Sequence, residues 1–426
     1  MKVQINSTST LSPFAGISFF EKCFNTSGLQ QLIDNELGRR VSTIGYSYSD
    51  IIKNYWSIFL TGGDCAEDIQ THVGKYLKSI PGNATPSADT LLRALKELAT
   101  SNTQYTSASK ILYDFNINAR LNSLNIKSLL LTGQLESGKG YDLDYDNQII
   151  ANEKYDAKRT YKKNRGYFPG IATIGNKVVY IENRDGNANV KFEQASTLKR
   201  MYTLLGENDI CINRSRMDAG SYSKEIIDVV AANSKLFYIR SNKSAEMYEQ
   251  ISQITEWETV EINYIRYEVA SIAFSQFYED RNYRQVIMRE KSNSGQTDLF
   301  TGNTMSYRTI LSNDWQSHEK EIIEYYNQRG SSEKTFDVMN NDFGWKQLPC
   351  SFMNENTTFM ILMAMAKNFY NYFVEKVAKV FIEIKPATRL KGFIFRFISV
   401  SGKWVYKARQ WVLKLYTDRP YDRLAF

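Results

Sequence analysis

The feature that most constrains the fold of this chain is a change of hydrophobic period near residue 138. Up to about residue 125, apolar positions in FFEKCF, LQQLIDNEL, DIIKNYWSIFL, CAEDIQTHVGKYL and DTLLRALKELA recur every three or four residues, the spacing of amphipathic helices. Gly62-Gly63, Pro81-Gly82 and Pro86 punctuate them, and Ser87 stands as an N-cap. Short helices with tight turns suit a helix-turn-helix DNA reader and a plain helical bundle equally. Beyond residue 138 the apolar positions alternate. GYDLDYD reads as a strand, GYFPGIATIGNKVVYIENRDG as a hairpin turning at Gly175-Asn176, and NDICINRSRMD and KLFYIRS as further strands. Amphipathic stretches, KFEQASTLKRMYTLL and SYSKEIIDVVAA, lie between the last three. The order predicts an α/β fold in which three antiparallel strands are followed by two parallel ones.

That order is the one of an RNase-H-like mixed-sheet core. Strand-like runs follow over 244–312 (WETVEINYIRYEVASIAF, YRQVIMRE, SYRTIL) with polar turns such as NSGQTD, and predict a β-rich insertion. One long helix is expected over roughly 315–340, starting near Asn313, then a strongly apolar helix around 356–382. In the basic, aromatic tail, Lys403, Lys407, Arg409 and Lys414 read as a basic helix stripe with Trp404 and Trp411 between them. The stripe suits DNA contact, and a tail helix packing its tryptophans on the core explains it equally well. The expected division is a helical, DNA-binding region over 1–125, the first part of the core over 126–243, the insertion over 244–312, the core's catalytic helix over 313–350, and a C-terminal helical segment over 351–426.

Composition narrows the chemistry. With 42% hydrophobic and 23% charged residues and only 7 Pro in 426 residues, the chain is that of a folded protein of more than one unit. A net charge of +7 admits a polyanionic partner without demanding one. Cys23, Cys65, Cys211 and Cys350 are scattered, with no CxxC pair, which fits a reducing compartment. The start lacks the apolar core of a signal peptide, and the longest apolar run, Phe359 to Ala366, is far short of the ~20 residues needed to span a bilayer. A soluble, cytoplasmic protein with no membrane partner is expected. Only two histidines, His72 and His318, are present, so carboxylates must carry the chemistry.

Carboxylates from separate elements that converge on hard divalent ions are what metal-assisted phosphoryl transfer requires. The first strand ends in Asp144-Tyr145-Asp146 and the fourth in Asp218, and adjacent central strands would bring these ends together. On the long helix, Tyr326, Arg329, Glu333 and Asn340 stand at offsets of 0, 3, 7 and 14, within an arc of roughly 60° at ~100° per residue. Glu333 is therefore the candidate third carboxylate.

Tyr326-x2-Arg329-x3-Glu333 resembles the Y-R-E-K signature of DDE transposases in the insertion-sequence-four superfamily of bacteria. DLDYDN, EKYDAKRTYKKNRGYFPGIATIG, NRDGN, RMDAGSYS and YNQRGSSEKTFDVMNNDFGW are similar, more narrowly, to the insertion-sequence group numbered thirteen-eighty, from about residue 60 to the C-terminus. The signature continues as Glu-x6-Lys, and here that place holds Asn340, which can touch a phosphate but not neutralise it; Lys334 or Lys346 could substitute. The resemblance implies that Asp146, Asp218 and Glu333 hold two Mg²⁺ (or Mn²⁺), with Asp144 as an accessory ligand or a supporting group. It implies that Tyr326, Arg329 and Asn340 contact DNA. It also implies cut-and-paste transposition at terminal inverted repeats, by a homodimer on double-stranded DNA that meets the bacterial nucleoid.

Directly after the first catalytic strand, Lys154 to Tyr167 carries six basic residues against one Asp. Lys158, Arg159, Lys162, Lys163 and Arg165 are thus candidates for DNA-backbone contact, although a charge run is as often merely solvated. Trp257, Tyr264 and Tyr283 lie in the expected insertion, where an aromatic could stack on a flipped base. Two other readings remain open: another RNase-H-like nuclease that cuts without joining, and an inactive, transposase-derived DNA-binding protein.

Overall fold

The computed structural model describes residues 3, 11–40, 45–242, 244–274, 277–278, 283–291 and 304–426. The NSGQTD turn lies outside them. Among the described residues the chain opens with α1 (Ile17–Thr26), α2 (Leu29–Leu37), α3 (Tyr48–Leu60), α4 (Gly74–Lys78) and α5 (Ala88–Leu98). A Ser47–Asp50 capping box starts α3, and the Ser87 side chain accepts from the Thr90 amide to start α5. The helical region does not run unbroken to 125. TQYT and LYDFN, rich in β-branched and aromatic residues, form a hairpin of β1 (Thr103–Thr106) and β2 (Leu112–Asn116) before α6 (Ala119–Leu131).

The central strands follow the predicted order. They are β3 (Gly140–Asn147), then a small sheet of β4 (Ile150–Ala151), β5 (Lys158–Arg159) and β6 (Arg165–Tyr167), then β7 (Gly170–Ile174) and β8 (Lys177–Arg184). After them come α7 (Gln194–Glu207), β9 (Cys211–Met217), α8 (Lys224–Asn233) and β10 (Leu236–Arg240). β3 pairs antiparallel with β7 and parallel with β9, and β9 pairs parallel with β10. The β7–β8 turn falls at Gly175, whose φ of 59° is left-handed and open to glycine.

The expected insertion does not form a body of its own. After α9 (Ala245–Ser252), the strands β11 (Glu258–Ile262), β12 (Ile265–Phe274), β13 (Tyr283–Lys291) and β14 (Met305–Ser312) continue the same sheet, because β14 returns antiparallel beside β10. Among the described residues the result is one mixed sheet of eleven strands in the order β1-β2-β8-β7-β3-β9-β10-β14-β13-β12-β11.

Two helical expectations are corrected. The long helix over 315–340 is two, α10 (Glu319–Asn327) and α11 (Gly330–Asp342), broken at Gln328-Arg329, where helix-weakening Gly330 follows. It starts at a His318 cap with Glu321 three residues on, not near Asn313. After α12 (Met353–Ala378) and the short α13 (Leu390–Phe393), the tail is not a basic helix but a hairpin, β15 (Gly402–Lys407) and β16 (Gln410–Leu415). Its alternation of Trp404, Tyr406 with Lys403, Val405, Lys407 has the period of a strand, and Ala408 and Arg409 turn it with φ of 50° and 61°.

The N-terminal helices and the C-terminal segment share one core. Phe20 packs edge-on against Phe369 and Phe373 of α12, Phe24 edge-on against Phe369 and Trp56, and the Trp56 indole donates to the Leu362 carbonyl at 3.0 Å. Every residue of α3 except Asp50 is buried, so α3 has no face left for a DNA groove. No described helix is long and apolar enough to cross a membrane, and the apolar centre of α12 is spent inside this core.

Candidate active site

β3 alternates strictly. Leu143 and Tyr145 enter the core under α7 and α8, which sends Asp142, Asp144 and Asp146 to the opposite face. β9 has the same parity: Met217 joins that core, and Arg214, Arg216 and Asp218 share the other face. The parallel register sets Asp142 against Arg214 and Asp144 against Arg216. Arg214 takes Asp142 at 2.9 and 2.5 Å, and Arg216 takes Asp144 at 2.6 and 2.8 Å, both with paired hydrogen bonds. The end of α10 seals the ladder. The Tyr325 ring lies 4.0 Å from the Arg214 guanidinium and 4.5 Å from that of Arg216, and its carbonyl accepts from Arg216 Nη1 at 2.7 Å.

One step further along both strands the alternation of sign fails, and Asp146 and Asp218 meet as like charges. Burial, then the nearby Asp146 carboxylate, push the Asp218 carboxyl above its ordinary pKa, while Arg329 and the Gly220 and Ser221 amides oppose the shift. The Asp218 carboxylate also accepts from the Gly220 amide at 2.9 Å and so caps a single 3-10 turn over Ala219–Ser221. The compensating cation comes from the break between α10 and α11, where Arg329 Nη1 donates to Asp146 Oδ2 at 2.8 Å. Burial works against the Arg329 charge, but Asp146, Tyr326 and Asp218 hold the guanidinium protonated more firmly than usual.

A divalent ion of the Mg²⁺ class takes hard oxygens, and the end of β3 offers more than carboxylates. The Gln148 side-chain oxygen is buried with no hydrogen-bond partner among the described residues, whereas Asn147 shares the face of Tyr145 and lies beside its hydroxyl at Gly170. Two facing carboxylates, with a buried amide oxygen two residues beyond Asp146, fit such an ion, and Arg329 holds the Asp146 carboxylate in its place.

The other predicted residues are placed as follows. Asp144 is buried with both oxygens on Arg216; burial pushes its carboxyl up and Arg216 opposes this. Tyr326 is buried, and its hydroxyl donates to the Met217 carbonyl at 3.1 Å, pinning α10 to the strand that delivers Asp218. Glu333 is exposed one turn beyond Arg329, beside a cavity under α11, and among the described residues its carboxylate does not join those of Asp146 and Asp218 in a cluster within 4.8 Å. Asn340 lines a separate cleft with Phe59 and Gly62. In the small sheet that leaves the end of β3, Lys158, Arg159, Lys162 and Lys163 are exposed, whereas the Arg165 guanidinium turns back to the Ala157 carbonyl at 2.9 Å. Of the three aromatics, Trp257 lies 3.8 Å from the Arg289 guanidinium, Tyr283 is buried, and Tyr264 is 97% exposed at the β11–β12 turn. The ladder arginines escaped the reading of single motifs. Their signal was the matching parity of D-L-D-Y-D and R-S-R-M-D.

The family model described as Transposase DDE domain group 1 matches residues 141–425, two thirds of the chain, and begins on β3. No curated protein matches. Among solved structures, the cryo-EM structure of a piggyBac transposase synaptic complex with hairpin DNA is similar at 14% identity, over 91% of this chain and 79% of that one, with a TM-score of 0.42.

Proposed function

The chain belongs to the Transposase DDE domain group 1 family, and on that premise we propose that it catalyses cut-and-paste transposition of an insertion sequence, cleaving and joining DNA strands at terminal inverted repeats. The observation that carries this reading is the acid pair Asp146–Asp218 at the end of an otherwise neutralised charge ladder. A protein does not retain two facing carboxylates for stability, since their repulsion works against folding; such a pair serves a cation-dependent task. The strand order β8-β7-β3-β9-β10 supports an RNase-H-like core, and Tyr326-x2-Arg329-x3-Glu333 with the flanking motifs supports the insertion-sequence-four, Y-R-E-K kind, nearest to the group numbered thirteen-eighty.

In this reading Asp146 and Asp218 hold the metal, and Glu333 completes the set once DNA is bound. Mg²⁺ or Mn²⁺, two ions when loaded, supply activation of the attacking oxygen and neutralisation of the leaving one. Arg329 leaves Asp146 for a phosphate beside the cut, where its planar fork binds two oxygens. Lys158, Arg159, Lys162 and Lys163 track the duplex backbone. Tyr326 and Asp144 act as positioning residues, one fixing α10 on β9 and the other fixing Arg216. The protein works as a homodimer on two element ends.

A pre-cut duplex carrying the ends that flank the gene, mixed with a supercoiled target and Mg²⁺, tests this. Joined products from the wild-type protein, absent with Asp218→Ala, support transposition. Cleavage of an uncut end without any joining would assign the fold to a plain nuclease instead.

A further inference from the structure

Beneath α11 a cavity of about 770 Å³ is bounded by the β7–β8 turn, α12 and the 386–390 segment. Its lining includes two donors that satisfy nobody. Lys367 is 3% exposed, yet its Nζ has no hydrogen-bond partner among the described residues, and the amide nitrogen of Asn371, one turn along α12, is buried in the same condition. A lone ammonium in such a place is costly, so native structures pair it. Here the surroundings make matters worse, because the charge that acts on Lys367 is that of another cation, Lys177 of β8.

The remaining charged groups of the lining do not supply the missing partner. Asp337 and Asp342 are both taken by Arg389, at 2.6 and 2.7 Å, while Glu333 and Lys334 are exposed on α11. An anion with several acceptor oxygens would reach both donors at once. We propose that this cavity is a phosphate-binding site, with Lys367 and Asn371 as its donors and Lys177 as a more distant cation. The phosphate belongs either to the backbone of bound DNA or to a free phosphate compound; only the first source rests on the transposase reading. Burial first, and Lys177 second, push the Lys367 ammonium down to about 7, so phosphate binding near neutrality takes up a proton.

The full-length protein is titrated at pH 7 with inorganic phosphate, and separately with a 20-base-pair duplex, following thermal midpoint and binding heat in two buffers of different ionisation enthalpy. Phosphate is expected to raise the midpoint of the wild-type protein with proton uptake. Lys367→Met, which removes a buried charge and keeps the bulk, should abolish the shift and Asn371→Leu should weaken it. If DNA supplies the phosphate, Lys367→Met also weakens duplex binding about tenfold and lowers its salt slope by about one. Unchanged duplex binding, with the phosphate effect lost, assigns the site to a free phosphate compound. A Lys367→Met protein that is folded and indistinguishable from wild type with both probes overturns the site. Asp146→Ala should bind phosphate normally, so failure of the catalytic reading and failure of this site are separate results.

Discussion

At the scale of single residues, the acid pair and the ladder behind it make opposite demands on stability. Asp144→Asn leaves the buried Arg216 guanidinium without its counter-charge and should cost about 3–5 kcal/mol in urea unfolding. Asp218→Asn relieves repulsion instead and should stabilise the metal-free protein by about 0.5–2 kcal/mol while abolishing catalysis. The pH dependence has a definite sign. Because the folded state raises the Asp218 pKa, it binds that proton more tightly than the unfolded chain does. Its contribution is present at low pH and is lost as pH rises through the raised value, so metal-free stability should fall as pH rises above the ordinary carboxylate range more steeply in the wild type than in Asp218→Asn. The carboxylates on β3 and β9 were legible in the sequence as strand-end acids. Their arginine partners were not singled out, because pairing depends on a register between strands 72 residues apart.

At the scale of elements, buried asparagines do work that an apolar helix pattern conceals. Asn368 of α12 accepts from the Val178 amide at 3.1 Å and donates to its carbonyl at 2.8 Å, and Asn122 of α6 does the same for Ile181 at 2.9 and 2.8 Å. Two helices thereby satisfy backbone groups of β8 that strand pairing leaves over, as a neighbouring strand would. Asn368→Ala should strand the Val178 amide, while the Val178 carbonyl keeps the Asn125 amide at 2.9 Å, and cost about 1–3 kcal/mol, read as a lowered urea midpoint at constant slope. The central strands were readable because their alternation is unbroken. The tail was misread because lysines four and seven apart fit a helix as well as a strand, and only the turn at Ala408-Arg409 decides between them. The break between α10 and α11 was hidden in a run without proline, yet it is what turns Arg329 onto Asp146.

At the scale of the whole molecule, the N-terminal helices are not an appendage to the sheet. Their apolar faces and those of α12 and the C-terminal hairpin form one core, which also backs the face of β7 and β8 through Ile171, Val178 and Ile181. Trp56→Ala, at the centre of that core, should cost about 3–5 kcal/mol and lower the unfolding midpoint reported by both far-ultraviolet dichroism and tryptophan fluorescence. Helical periodicity predicted the elements of this region but not their partners, because a sequence pattern shows which face is apolar and not what covers it. The same limit applies to the expected insertion, whose strands were legible while their continuation of the central sheet was not.

The central claim is that the facing carboxylates at the ends of β3 and β9 perform metal-dependent DNA chemistry. The most direct test follows nicking of a plasmid that carries the gene with its flanking ends, in Mg²⁺ or in EDTA, by wild type, Asp146→Ala and Asp218→Ala, with duplex affinity measured in parallel. The account predicts Mg²⁺-dependent cleavage by the wild type alone, reduced at least about 10³-fold in both variants, with duplex affinity within about threefold across all three proteins. Cleavage by either variant at the wild-type rate would contradict it.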